Sequence, residues 1–205
     1  MNPETSALNL SSLIYTPPSY FEPLDLEAIF ASPKPLEVEL GSGDGSFLVQ
    51  YAQAHPERRF LGVERLLGRL RKIDRKGRRA GLHNLRALRI EAGYFVEYLL
   101  PPQSVRALHV YFPDPWPKRK HWKNRLITER FTTLTQRILE PGGTVFLRTD
   151  SADYFAQMTT VFGANPAYEK VETPTEFADF LTDFERGFHA QGIETRRAAY
   201  RLAAT

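Results

Sequence analysis

From residue 35 onward the chain alternates between short runs suited to strands and longer runs suited to helices, and that alternation limits the fold more than any other feature. Strand-like runs cover Leu36–Leu40, Arg59–Glu64, Leu85–Ile90, Ala107–Phe112 and Gly143–Thr149. Helix-like stretches lie between them at Ser46–Ala54, Leu66–Ala80, Tyr94–Leu99 and Arg125–Leu139. Strand, helix and strand repeated at this interval fit right-handed crossovers between parallel strands. After residue 150 the pattern predicts a helix at Asp153–Phe162, a strand at Ala167–Glu172, a helix at Glu176–Glu185 and a last strand at Glu194–Ala203. The expectation is an α/β fold: a mostly parallel seven-stranded sheet, an antiparallel C-terminal strand and helices on both faces. Residues 1–33, with Pro17, Pro18, Pro23 and Pro33, read as an N-terminal arm with one short helix near Leu26–Phe30. Residues 34–205 read as one domain.

Composition narrows the chemistry. The 205 residues include no cysteine, which removes disulfides, thiolate nucleophiles and Cys-ligated zinc. No apolar run approaches the ~18 residues that span a bilayer, and Met1–Ser12 lacks the basic and apolar regions of a signal peptide. A cytoplasmic protein without membrane contact is expected. The net charge is only +3, so the placement of charge matters more than its sum. From Arg65 to Arg79 there are eight Arg or Lys against one acid, Asp74. Lys118, Arg119, Lys120, Lys123 and Arg125 follow one another with no acid between them. Such runs are either solvated faces or grips for a polyanion.

Parallel sheets bind ligands at the carboxyl ends of their strands, and acids gather there. Glu39-Leu-Gly-Ser-Gly-Asp-Gly45 closes the first strand and opens a helix. Gly41 and Gly43 permit a tight turn and close approach of a ligand to the amides. The G-x-G-x-x-G dinucleotide spacing fails here, because Ser46 and Leu48 stand where the third glycine would. Glu64 ends the second strand and suits a ribose; Glu91 follows the third and suits an adenine amino group; Asp114 follows the fourth. Each alone is an ordinary surface acid. Together they describe a site for an adenosine that carries positive charge.

Tyr111-Phe-Pro-Asp-Pro-Trp-Pro-Lys118 joins a proline-stiffened acid to a flat aromatic face and a basic run. Arg148-Thr-Asp150 ends the fifth strand. Thr182-Asp-Phe-Glu185 places Thr and Glu three apart, either for a base edge or for a local helix cap. The histidines, His55, His83, His109, His121 and His189, have no metal-ligand spacing, so no metal is expected; His109 reads as a core residue. Neither a nucleophile elbow nor a P-loop is present in the sequence.

In this order the motifs resemble the bacterial tRNA (guanine-N7-)-methyltransferases, across roughly residues 34–200. The Pro-Asp-Pro-Trp segment with its basic tail is the specific part; the glycine loop marks only the wider class of S-adenosylmethionine-dependent methyltransferases. The resemblance implies a Rossmann-like class I methyltransferase fold and methylation at N7 of the guanine at nucleotide 46 of tRNA. It implies S-adenosylmethionine contacts by Glu39, Gly41, Gly43, Glu64, Glu91 and Asp114, with Asp114 also catalytic. It implies substrate contacts by Lys118, Asp150, Thr182, Asp183, Phe184 and Glu185, and RNA contacts by Lys120, His121, Trp122, Lys123, Asn124 and Arg125. No obligatory protein partner is expected, and the chain would act as a monomer or homodimer. The alternatives are a methyltransferase acting on another RNA or a small molecule, and an RNA-binding module that does not react.

Overall fold

The computed structural model describes residues 12–30 and 33–204. The sheet begins where the alternation begins. Strands β2 (Leu36–Leu40), β3 (Arg59–Val63), β4 (Leu85–Leu88), β5 (Val105–Tyr111) and β6 (Leu139–Thr149) pair in parallel in the order β4-β3-β2-β5-β6. β2 and β3 are buried on both faces, as parallel strands covered by helices must be. The right-hand side continues through β8 (Arg196–Leu202), antiparallel to β6, and ends at β7 (Tyr168–Val171), antiparallel to β8. β8 is thus inserted between β6 and β7.

Eight strands are present among the described residues, where seven were expected. The additional one is β1 (Ile14–Tyr15), drawn from the segment read as a separate arm, and it extends the sheet by pairing with Ala87 and Leu88 of β4. Residues 1–11 and 31–32 of that arm lie outside the described residues. The cause is a latch on helix α3 (Leu67–Arg79). Asp74, the single acid of the basic helix, accepts from the Leu13 amide at 2.7 Å and the Ser12 hydroxyl at 3.2 Å. Beside it Gly77 makes room for Leu13: a Cβ there would come within 2.5 Å of a Leu13 methyl. The short helix α1 (Leu26–Phe30) does form and buries Leu26 and Ile29.

Helices α2 (Ser46–Ala54) and α3 pack Phe47, Leu48, Leu70 and Ile73 against one face of the sheet. Helices α5 (Glu129–Ile138) and α6 (Ala152–Ala164) pack Phe131, Ile138, Tyr154 and Phe162 against the other. Three predicted helices are rearranged. Tyr94–Leu99 becomes a short α4 (Ala92–Tyr94) running into a π turn at Phe95–Leu99. The long helix from Arg125 starts at Glu129, because Thr128 caps it and Arg125 is held extended; a 3-10 turn fills Arg119–Asn124. Glu176–Glu185 divides into a 3-10 turn at Thr175–Ala178 and helix α7 (Asp183–His189). No described helix is long and apolar enough to cross a membrane.

Candidate active site

A cavity of about 400 Å³ opens at the carboxyl ends of β2 and β5. The glycine loop forms its floor, through Glu39, Gly41, Ser42, Gly43 and Asp44. Helix α3 lends Arg69 and Lys72, and α7 lends Asp183, Phe184 and Phe188. The loop turns as the sequence predicts: Gly41 and Gly43 adopt φ of 73° and 55°, with open space where a Cβ would point.

Glu39 is the most exposing observation about what this cavity receives. The side chain is buried, and its Oε2 has no hydrogen-bond partner. Burial pushes its carboxyl up to about 8, against the pull of the Ser42 hydroxyl and the Arg148 guanidinium. A buried carboxyl left without a cation is a group waiting for one. In the same loop, Asp44 is held below the usual carboxylate range. Burial raises it, but hydrogen bonds from the Lys76 ammonium and the Ser46 hydroxyl outweigh that.

The other strand-end acids do not line this cavity, and of them Glu64 touches the glycine loop that floors it. Glu64 is buried, and its two oxygens accept from the Gly43 amide at 3.0 Å and the Leu66 amide at 2.7 Å. It ties the glycine loop to the start of α3. Glu91 caps α4, accepting from Gly93 and Tyr94. In both cases each oxygen keeps a free lone pair. Asp114 is exposed between Pro113 and Pro115, in a loop bracketed by left-handed residues Phe112 (φ 50°) and Trp116 (φ 44°). Non-glycine residues adopt that conformation only where the surroundings enforce it; here the Phe112 amide is fixed to the Arg148 carbonyl at 2.8 Å.

Two assigned contacts move beneath the surface. Glu185 is fully buried and does not face the cavity; its carboxylate accepts from Arg148 at 2.8 Å and from Arg197. Thr182 takes the capping alternative, its hydroxyl accepting from the Glu185 amide at 3.0 Å. Arg125, expected to touch RNA, is also buried. Its guanidinium binds the Pro115 carbonyl, Gln157 and Asp153, and lies 4.5 Å from the Trp122 ring. Trp122 is consequently packed between Arg119 and Arg125. Lys118, Lys120, Lys123 and Asn124 stay exposed, His121 sits edge-on to Trp116, and Asp150 is half-buried at the end of β6.

The sequence reading missed the clamp that builds the cavity wall. Arg148 is wholly buried under the site. It donates to the carbonyls of Phe180 (2.9 Å) and Phe177 (3.0 Å) as well as to Glu185, with its guanidinium 4.2 Å from the Tyr111 ring. The Arg-Thr-Asp motif marked the residue, but nothing in the sequence paired it with Glu185. Below it, His109 shares hydrogen bonds with Glu37 and Tyr111, each at 2.8 Å, and Glu37 is bound in turn by Arg58. His109 therefore belongs to the core, as expected, but as part of a polar network. Burial lowers its imidazole below the ordinary value, against the raising effect of Glu37.

Residues 33–198 match the family described as "Putative methyltransferase". The tRNA (guanine-N(7)-)-methyltransferase of Syntrophotalea carbinolica is 36% identical over 178 residues, covering 85% of this chain and 77% of that one. Its counterpart from Halorhodospira halophila is 36% identical over 192 residues, covering 87% and 80%. The chain belongs to this family. Among solved structures, the 16S rRNA methyltransferase KamB superposes with a TM-score of 0.63 at 16% identity, covering 89% of this chain and 95% of that one. TrmN from Thermus thermophilus gives 0.59 at 16% identity, covering 86% and 47%. Likeness at that level establishes the class I methyltransferase fold, in agreement with the family.

Proposed function

We propose that the protein transfers a methyl group from S-adenosylmethionine to N7 of guanine in tRNA, at nucleotide 46, and that it does so in the cytoplasm as a monomer or homodimer with no obligatory protein partner. The observation that carries this reading is Glu39: a buried carboxyl without a full set of partners, facing a cavity whose other wall is aromatic. A donor with a cationic group answers the first feature and a purine answers the second. The residues present fit that donor. Glu39, Gly41 and Gly43 would hold it from the loop, Glu64 and Glu91 from the next two strand ends, and Asp114 from the fourth. When bound, the donor supplies a methyl carbon made electrophilic by its sulfonium.

The protein's own task is orientation and charge. Guanine N7 has a free lone pair and no proton to lose, so no strong general base is needed. Holding the base in line with the methyl carbon turns a bimolecular encounter into an intramolecular one. Positive charge then grows on the base, and a fixed carboxylate beside it lowers the barrier. Asp114, stiffened by a proline on each side, is assigned that role. Lys118, Asp150, Thr182, Asp183 and Phe184 form the base-side surface. Glu185 serves it indirectly by fixing α7. Lys120, Lys123 and the outer face of α3 supply salt-dependent affinity for the RNA backbone, with His121, Trp122 and Asn124 shaping that surface.

The test is to incubate undermethylated tRNA with the protein and labelled donor, then digest and separate the nucleosides. Label in N7-methylguanosine, mapped to the variable loop, is expected. Label in another nucleoside would transfer the reading to a different RNA methyltransferase. Donor binding without any label in RNA would leave a non-catalytic binding module.

A further inference from the structure

Six of the seven cations of helix α3 fall in two rows, the seventh, Arg78, being paired with Asp74. Arg69, Lys72 and Lys76 stand at i, i+3 and i+7, on the flank beside the buried stripe that faces the sheet. Arg71, Arg75 and Arg79 point away from the core. Only the first row approaches the cavity, and its members differ in one respect. Lys76 is tied to Asp44 and the Ser46 hydroxyl. Arg69 and Lys72 line the cavity without a carboxylate partner among the described residues. Arg69 lies with its guanidinium 5.9 Å from the ring of Phe184, which is half exposed at the cavity mouth.

We propose that Arg69 and Lys72 form a phosphate clamp at the mouth of this cavity, gripping the phosphate joined to the nucleoside that enters it. The inference rests on the RNA reading above and deepens it. Two positive groups without partners, set into a cavity wall, serve a ligand anion. Their neighbours indicate which one. Arg69 is placed against Phe184, which with Phe112 and Phe188 makes the aromatic side where a base would stack. A nucleotide brings a planar base and an adjoining phosphate, and a planar guanidinium matches phosphate oxygens in pairs. The helix also bears a cost for this placement: Arg69 stands in the first turn of α3, where no acid is present and the helix dipole disfavours a cation. The second row, by contrast, faces solvent and serves only the diffuse backbone field.

The experiment compares guanosine 5′-monophosphate with guanosine by calorimetry, in the presence of S-adenosylhomocysteine. The wild-type protein is expected to bind the nucleotide about tenfold more tightly, the scale of a charge-assisted contact. The double variant Arg69→Gln/Lys72→Gln should bring the ratio close to one and raise KM for tRNA, with donor affinity unchanged. Arg71→Gln/Arg75→Gln should keep the ratio. Equal binding of the two probes by wild type, binding of neither, or a ratio that survives the double variant would each overturn the clamp. So would a tenfold loss of donor affinity in the double variant with the nucleotide preference intact, which would assign the pair to the donor's carboxylate. Wild type that methylates tRNA yet binds the probes equally would remove the clamp and keep the function. Wild type that prefers the nucleotide but leaves tRNA unmethylated would remove the function and keep the clamp.

Discussion

Glu39 holds a proton that the unfolded chain would release. Its carboxyl is raised by burial from 4.5 to about 8, so the folded state binds more protons between those values. Its contribution to stability is therefore present in acid and lost as pH rises through that window. Unfolding by denaturant at pH about 5 and about 9 should show this slope, and Glu39→Gln should remove most of it. A cationic ligand reverses the preference, so donor binding should strengthen as pH rises toward about 9 and should expel a proton, visible as a heat of binding that depends on the buffer. At Asp114 the expectation is kinetic. Asp114→Ala should lower kcat by at least about a hundredfold while tRNA binding, followed by gel shift, stays within a few-fold. Full turnover by that variant would displace Asp114 from the charge-stabilising role. The residue scale is also where the sequence was most informative. Glycines followed by a helix, and acids at strand ends, are local signals. Glu185 and Arg125 misled for the opposite reason: a charged side chain reads the same in sequence whether it meets solvent or a buried partner, and here Arg148 and Gln157 decide the matter from 37 and 32 residues away.

Helix α7 has only seven residues, too few to be stable alone. It stands because Thr182 caps it and because Arg148 and Arg197 hold Glu185 beneath it. Arg148→Met should therefore cost about 3 kcal/mol, the scale of breaking a buried pair, measured by denaturant unfolding. It should also raise KM for tRNA more than it weakens donor binding, and it should speed amide exchange across Asp183–His189. Unaltered exchange there would mean that α7 does not depend on the clamp. At the other edge, Asp74→Ala should cost about 2 kcal/mol through the lost bonds from the Leu13 amide and the Ser12 hydroxyl and an ion pair to Arg78. The Ala87 amide, which donates to the Leu13 carbonyl, should then exchange faster. The strands of the parallel sheet were legible because short runs rich in apolar residues, bounded by turn residues and spaced by helix-like stretches, leave little choice. β1 was not, since two residues carry no period and its pairing depends on a carboxylate in a helix 61 residues away. The start of α5 was hidden for a related reason: it is fixed by the Thr128 cap rather than by where the apolar pattern begins, whereas the Thr182 cap of α7 was one of the two readings the sequence offered.

Across the whole molecule, positive charge is gathered on two surfaces, the outer row of α3 and the Lys118–Lys123 turn. Replacing Lys118, Lys120 and Lys123 with Gln should weaken tRNA binding at low salt and flatten the plot of log affinity against log salt by about 2, while leaving donor affinity unchanged. A slope equal to wild type would show that the turn does not meet the RNA backbone. The order of strands has a consequence for how the right-hand side comes into being. In the described sheet β7 meets its neighbours through β8 alone, and α7 lies between those two strands in the chain with its foot held from β8 by Arg197. The three therefore support one another. A single protease nick in the exposed stretch 191–194 would loosen strand, helix and foothold together, so damage at this edge should register as an all-or-none loss of capture, never as a graded decline.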